Sequence, residues 1–189
     1  MNKSEAVAAV VRLAAACPIL FTTGYCCRIA RGIDDRPNHF YMTGSMGLVS
    51  SLGVGVAAAT GATTVVVDGD GSLLMNPVGL LAAGADEDLR LVHIVLDDGS
   101  YASTGGQATP SRRADLPGLA RACGYREVYD TSTASEFVGL VAAAVRDCHA
   151  PIFIRCALTT PDAPVGGRID AELSAHARRF QRYLTAATA

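Results

Sequence analysis

No run of apolar residues in this chain reaches the length needed to cross a bilayer, so an integral membrane protein is not expected. Neither sign of charge is in excess: 16 Lys and Arg stand against 18 Asp and Glu, a net charge of −2. Without a basic surplus there is no polyanion-binding signature, and nucleic acid is not an expected partner. The cysteines (Cys17, Cys26, Cys27, Cys123, Cys148, Cys156) form no Cys-x-x-Cys pair and no metal-finger spacing. Cys17, Cys123, Cys148 and Cys156 lie in apolar stretches and read as small buried hydrophobes. Cys26-Cys27 follows a glycine at an expected strand-to-helix turn, where a helix N-terminus lowers a thiol pKa, so one of the pair is a candidate reactive thiol. No disulfide is expected, and a reducing, cytoplasmic setting fits. Residues 6–21 have the look of a signal peptide. Arg12 interrupts the apolar region and Glu5 sits where a signal carries positive charge, so an amphipathic first helix is expected instead. Internal repeats and linkers are also lacking.

What is present is a chain of 189 residues, half of them apolar, enough for one domain over 1–189 with a full core. Strand and helix patterns alternate. Helices are expected at 4–16, up to 31, 48–60, 76–85, 116–123, 134–148 and 171–184, the last one basic and amphipathic. Strands are expected at 19–22, 39–42, from 65, 91–96, 126–129 and 151–156. Such alternation predicts an α/β fold, a three-layer α/β/α sandwich around a mainly parallel sheet.

The chain is organised around two acidic turns. Val65-Val66-Val67-Asp68-Gly69-Asp70-Gly71-Ser72 is a β-branched run ending in a glycine-flanked aspartate, and Ile94-Val95-Leu96-Asp97-Asp98-Gly99-Ser100 is an apolar run ending in two aspartates. Between Gly71 and Asp97 lie 25 residues, room for one helical crossover. Asp70 and Asp98 then face one crevice beyond the carboxyl ends of parallel strands, where open α/β sheets bind ligands. Two carboxylates with a main-chain carbonyl and phosphate oxygens suit Mg²⁺. Gly69 and Gly71 allow close approach of a bulky anion, to which Gly71 and Ser72 offer N–H donors. The Thr43-Gly44-Ser45-Met46-Gly47 turn has two readings: a tight connection with Ser45 as helix N-cap, or a site whose exposed N–H groups favour an anion. His93 reads as a core histidine, and His39, His149 and His176 carry no partner signal. Asn76 reads as a helix cap.

Gly69-Asp70-Gly71 followed by Asp97-Asp98 resembles the diphosphate-and-metal motif of thiamine-diphosphate enzymes. With Thr43–Gly47, Gly71–Asn76 and the loop from Ser100 to Gln107, it is similar to the phosphonopyruvate and sulfopyruvate decarboxylases over about residues 21–156. The resemblance implies thiamine diphosphate and Mg²⁺ as cofactors. It implies metal ligation by Asp70, Asp98 and the Ser100 carbonyl, where position 98 is generally Asn in the family. It implies cofactor contacts from Thr23, Gly24, Gly44, Ser45, Met46, Gly69, Gly71, Ser72, Ser100 and Tyr101, with Met46 propping the cofactor in its bent shape. The loop after Ser100 closes over the diphosphate, and Thr104, Gly106 and Gln107 approach the substrate side. Arg112 and Arg113 are candidates to steer an anionic substrate.

The family also needs a glutamate to protonate the aminopyrimidine, carried by a separate pyrimidine-binding domain. None of Glu5, Glu87, Glu127, Glu136 and Glu172 stands in a family-like setting. The expectation is the β subunit of a split 2-oxoacid decarboxylase, completed by an α subunit in an α2β2 assembly or a multiple of it. Its substrate is a small anionic 2-oxoacid, and the small-residue helix 48–60 is an interface candidate. Two other readings stand beside it: a carboligase subunit using the same cofactor, and a non-catalytic regulatory subunit.

Overall fold

The computed structural model describes residues 1–162 and 164–187. Six strands, β1 (Ile19–Phe21), β2 (His39–Tyr41), β3 (Thr64–Gly69), β4 (Leu91–Asp97), β5 (Glu127–Thr131) and β6 (Ile152–Ala157), form one sheet in the order β2-β1-β3-β4-β6-β5. Every pairing is parallel. The inner strands are near-continuous Val, Ile and Leu because both their faces are covered. Ile19, Phe21, Val65, Val67, Ile94 and Ile154 point into one core, under α1 (Lys3–Leu13), α2 (Tyr25–Ile33) and α7 (Ala134–Arg146). Leu20, Val66, Val95 and Phe153 point into the other. That second layer is closed by α3 (Val49–Thr60), α4 (Asp70–Met75), α5 (Val78–Gly84), α6 (Leu116–Ala122) and α8 (Leu173–Ala187). The expected three-layer sandwich is therefore what the chain forms. Among the described residues no helix is long and apolar enough to cross a membrane.

One detail differs from the sequence reading. Asp70–Met75 is a helical turn of its own, α4, and Pro77 starts α5 as a separate helix. The Asp-Gly signal hid α4, because an aspartate favoured in turns is equally favoured in the first turn of a helix. The basic tail helix packs on its own sheet. His176 Nε2 accepts the outward Tyr41 N–H of edge strand β2 at 2.9 Å, Arg179 pairs with Asp35 at 2.6 Å, and Phe180 is buried. Covering an edge strand in this way blocks strand addition.

Candidate active site

The chain runs from β1 outward to β2 and then back across β1 to β3, so the sheet's order reverses between β1 and β3. Open parallel sheets form a ligand crevice at that point. Three loops meet there, and Ser72 ties them together. Thr22 Oγ1 donates to Ser72 Oγ at 2.9 Å, and the Gly47 N–H donates to the same oxygen at 3.1 Å. Asn76 adds a second tie, donating from Nδ2 to the Gly47 carbonyl at 3.1 Å while its Oδ1 accepts the Val78 N–H at 3.4 Å. Its role is thus wider than the helix cap expected of it. Ser45 is not an N-cap: α3 begins after Leu48, and Ser45 contributes its carbonyl to the Leu48 N–H at 3.1 Å. Ser45 also holds a left-handed backbone at φ 55°, which a non-glycine residue adopts only under constraint from its surroundings.

Thr23, Met46, Gly69, Asp70, Gly71, Ser72, Ser100 and Tyr101 line one cleft at this point. Gly24, Gly44 and Ser45 line an adjoining cleft, to which Thr23 and Met46 also contribute. Met46 therefore stands between the two. Asp98 faces a third hollow beside the first cleft, with Tyr25 and Ala102, so it does not share the lining of Asp70's cleft as the sequence reading expects.

The three carboxylates here are treated differently by the fold. Asp97 ends β4 fully buried. It accepts from Arg155 at 2.8 and 2.6 Å, from the Ser111 hydroxyl at 2.8 Å and from the Gly99 N–H at 3.0 Å, so its charge and lone pairs are spent within the protein. Asp98 accepts from Lys3 Nζ at 2.6 Å on one oxygen and from the Ser100 N–H at 3.1 Å on the other. Asp70 is 2% exposed and has no ion pair among the described residues; its one hydrogen bond comes from the Thr109 hydroxyl. Burial, reinforced by Asp97 and Asp98, pushes its pKa up to about 6, against the Thr109 hydrogen bond and Lys3. A buried carboxylate without a cation is costly. The nearby Ser100–Ala108 bridge is held by Tyr101 N–H to the Gln107 carbonyl at 2.8 Å and Thr109 N–H to the Gly99 carbonyl at 3.0 Å, which leaves the Ser100 carbonyl outside it. This oxygen donor set fits a hard divalent cation. Among the described residues no three His, Cys, Asp or Glu side chains gather as a metal cluster, so a cation here draws on main-chain and ligand oxygens as well.

The loop after β4 folds back over the cleft. Tyr101 lies flat against Gly71, where an added Cβ would come within 2.5 Å of its ring, and Ser103 lies against Gly24. Thr104 reaches the second cleft, whereas Gly106 and Gln107 line neither cleft. Arg112 packs over Gly99 instead of facing a cleft. The arginines that do line the second cleft are Arg28 and Arg168.

The thiols of Cys26 and Cys27 border the clefts but are not activated. Burial pushes Cys26 up to about 12, and burial likewise raises Cys27, whose thiol donates to the Gly24 carbonyl at 3.1 Å. Burial outweighs the helix N-terminus, so the reactive-thiol expectation does not hold. His93 is the core histidine expected, set between Asp68 at 3.4 Å and the Tyr125 hydroxyl at 3.3 Å. No glutamate lines either cleft: Glu5 closes the capping box of α1, Glu87 pairs with Arg126, and Glu127, Glu136 and Glu172 bond to Tyr129, Thr131 and Ser174.

Sequence reasoning missed Lys3 altogether. Its signal was nevertheless present, because Lys3 falls on the stripe of Ala6, Val7 and Val10 that α1 buries. A lysine on the apolar face of an amphipathic helix needs a buried partner.

Comparison with known proteins identifies the family. The model of the thiamine pyrophosphate enzyme C-terminal TPP binding domain matches residues 23–156. Phosphonopyruvate decarboxylase of Streptomyces viridochromogenes is 40% identical over 183 residues, 95% of this chain and 46% of that protein. Sulfopyruvate decarboxylase subunit beta of Methanothermobacter thermautotrophicus is 41% identical over 110 residues, 58% of this chain and 60% of that protein. The chain thus spans less than half of the first relative. Benzoylformate decarboxylase from Polynucleobacter necessarius superposes with a TM-score of 0.69 at 16% identity, covering 85% of this chain and 34% of the other, a likeness of fold. Most residues that line the β1–β3 crevice, Asp70 and Ser72 among them, lie within the matched span, and the chain belongs to the thiamine pyrophosphate enzymes as their C-terminal TPP binding domain.

Proposed function

We propose that this chain holds thiamine diphosphate and Mg²⁺ in the first cleft and acts, with an α subunit, as a decarboxylase of phosphonopyruvate or sulfopyruvate. The observation that carries the reading is Asp70: a buried carboxylate without an ion pair, at the sheet's reversal point, on the floor of a cleft. Asp70, Asp98 and the Ser100 carbonyl supply hard oxygens for the metal. Ser72 Oγ already accepts from Thr22 and Gly47, which leaves its own proton as a donor to a phosphate oxygen. Met46, between the clefts, is suited to support the bend of the cofactor. When bound, thiamine diphosphate supplies a thiazolium carbon that takes up the electron pair released as CO₂ departs.

The second cleft is then the substrate side. Arg28 and Arg168, with Thr43, Ser45 and Thr104 near them, suit a phosphonate or sulfonate head better than an apolar one. The glutamate for the aminopyrimidine we assign to the α subunit, since none of this chain's five faces either cleft. Three relatives bearing the name sulfopyruvate decarboxylase subunit beta support a split enzyme.

The test is turnover of phosphonopyruvate and sulfopyruvate by the chain with its co-purified partner, followed as CO₂ and aldehyde. One of the two acids is decarboxylated, with or without an aldehyde acceptor present, and Asp70→Ala abolishes the reaction. Full activity in Asp70→Ala would assign a regulatory role instead. Formation of a carboligated product only when an acceptor is added would assign carboligation.

A further inference from the structure

Lys3 is a buried cation whose ammonium lies at the wall of the cleft proposed for diphosphate. Its side chain is 8% exposed, it lines the same cleft as Asp70, Ser72 and Ser100, and it meets Asp98 Oδ2 at 2.6 Å. The Tyr25 ring lies 6.0 Å from its ammonium. Three carboxylates converge on this edge of the sheet, and the fold gives fixed cations to two of them: Arg155 to Asp97 and Lys3 to Asp98. Of the three, Asp70 has no ion pair among the described residues.

We infer that Lys3 is a positioning residue of the cofactor site, fixing Asp98 through one oxygen and cancelling its charge so that the other oxygen serves as a nearly neutral ligand beside a polyanion. The Lys3–Asp98 pair then presents what a single asparagine presents at this position: one oxygen, held in place by the Ser100 N–H at 3.1 Å, with no net charge. An unpaired Asp98 would repel the diphosphate and add to the burden on Asp70. The inference rests on the cofactor reading above.

The test is a double-mutant cycle on cofactor affinity, measured by calorimetric titration of thiamine diphosphate with Mg²⁺ into the protein as purified with its accompanying chain. Lys3→Met weakens binding by about tenfold or more, and adding Asp98→Asn to it restores binding to within about threefold of wild type. Lys3→Arg keeps the affinity. Bound Mn²⁺, followed by its EPR signal, tracks the same order of variants. Equal weakness of Lys3→Met and the double variant, or no effect of Lys3→Met, overturns the inference while wild-type binding leaves the cofactor reading intact. A wild-type protein that takes up no thiamine diphosphate overturns the cofactor reading itself. If Lys3→Met does not fold, Asp98→Asn alone decides. The inference requires it to bind at least as tightly as wild type, and a tenfold loss contradicts it.

Discussion

At the scale of single residues, two glycines separate backbone necessity from tolerance. Gly47 has φ 97°, and a Cβ there would lie 2.9 Å from Asn76 Cβ and 3.3 Å from the Ser72 carbonyl oxygen. Gly55, in the middle of α3, has nothing within 4 Å of the place a Cβ would take. Gly47→Ala is expected to cost about 2 kcal/mol and Gly55→Ala to gain about 0.5–1 kcal/mol in urea unfolding. Acid sensitivity is also a residue-scale property. His39 is fully buried, its Nε2 has no partner, and burial with Arg36 beside it lowers its pKa to about 4. The unfolded chain therefore takes up this proton first. The stability His39 provides is complete above about pH 6.5 and disappears as pH falls toward 4, at most about 3 kcal/mol. Asp70 in the metal-free protein slopes the opposite way, because its raised pKa makes stability fall as pH rises from about 4 to 6. The difference between the unfolding profiles of wild type and His39→Gln isolates the first effect, which should vanish below pH 4. A difference that is flat from pH 4 to 7 would contradict it. The acidic turn that carries Asp70 and the neighbouring turn residues were legible in the sequence, since glycine and aspartate at strand ends announce themselves. Lys3 and Arg168 were not, because long side chains reach a site from elements far away in the chain, and Arg28 was missed on the helix that follows the Thr23-Gly24 turn.

At the scale of elements, the tail helix α8 shields the β2 edge through a small set of contacts. Phe180 is 5% exposed and lies tilted against Phe40, with ring centroids 5.3 Å apart. Phe180→Ala should cost about 3 kcal/mol and loosen α8. Loosening also releases the Tyr41 N–H from His176, so hydrogen exchange at Tyr41 should accelerate by more than at Phe21 in the neighbouring strand. Equal protection in variant and wild type would show that α8 is not what closes this edge. The strands and the parallel sheet were readable because Val and Ile runs alternate with helical stretches, whereas the order β2-β1-β3-β4-β6-β5 was not. The boundary between α4 and α5 was not, since Asp70-Gly71 is compatible with a turn and with a helix start, and only the packing of Leu73 into the core decides between them. The packing side of α8 likewise depended on Tyr41 and Asp35, far from it in sequence.

At the scale of the molecule, the helices α3 to α5 expose an apolar face. Leu48, Leu52, Met75, Val78 and Leu81 are all more than a third exposed, on α3, α4, α5 and the turn before α3. Apolar side chains gathered on adjoining elements are more than isolated surface leucines explain, and this face flanks the Gly47 turn and Ser72. An α subunit docked here would bring its glutamate toward the cleft that holds Asp70. Leu81→Glu and Val78→Glu should then release the partner while the chain keeps its fold by circular dichroism; retention of the partner in both would move the interface elsewhere. The central claim is that this chain is one half of a thiamine-diphosphate site, and native mass spectrometry of the protein purified gently from its own cells, without added cofactor, tests it most directly. The account predicts a complex with a second chain of similar size that retains thiamine diphosphate and Mg²⁺. A lone chain or homodimer that takes up no cofactor when supplied would contradict it.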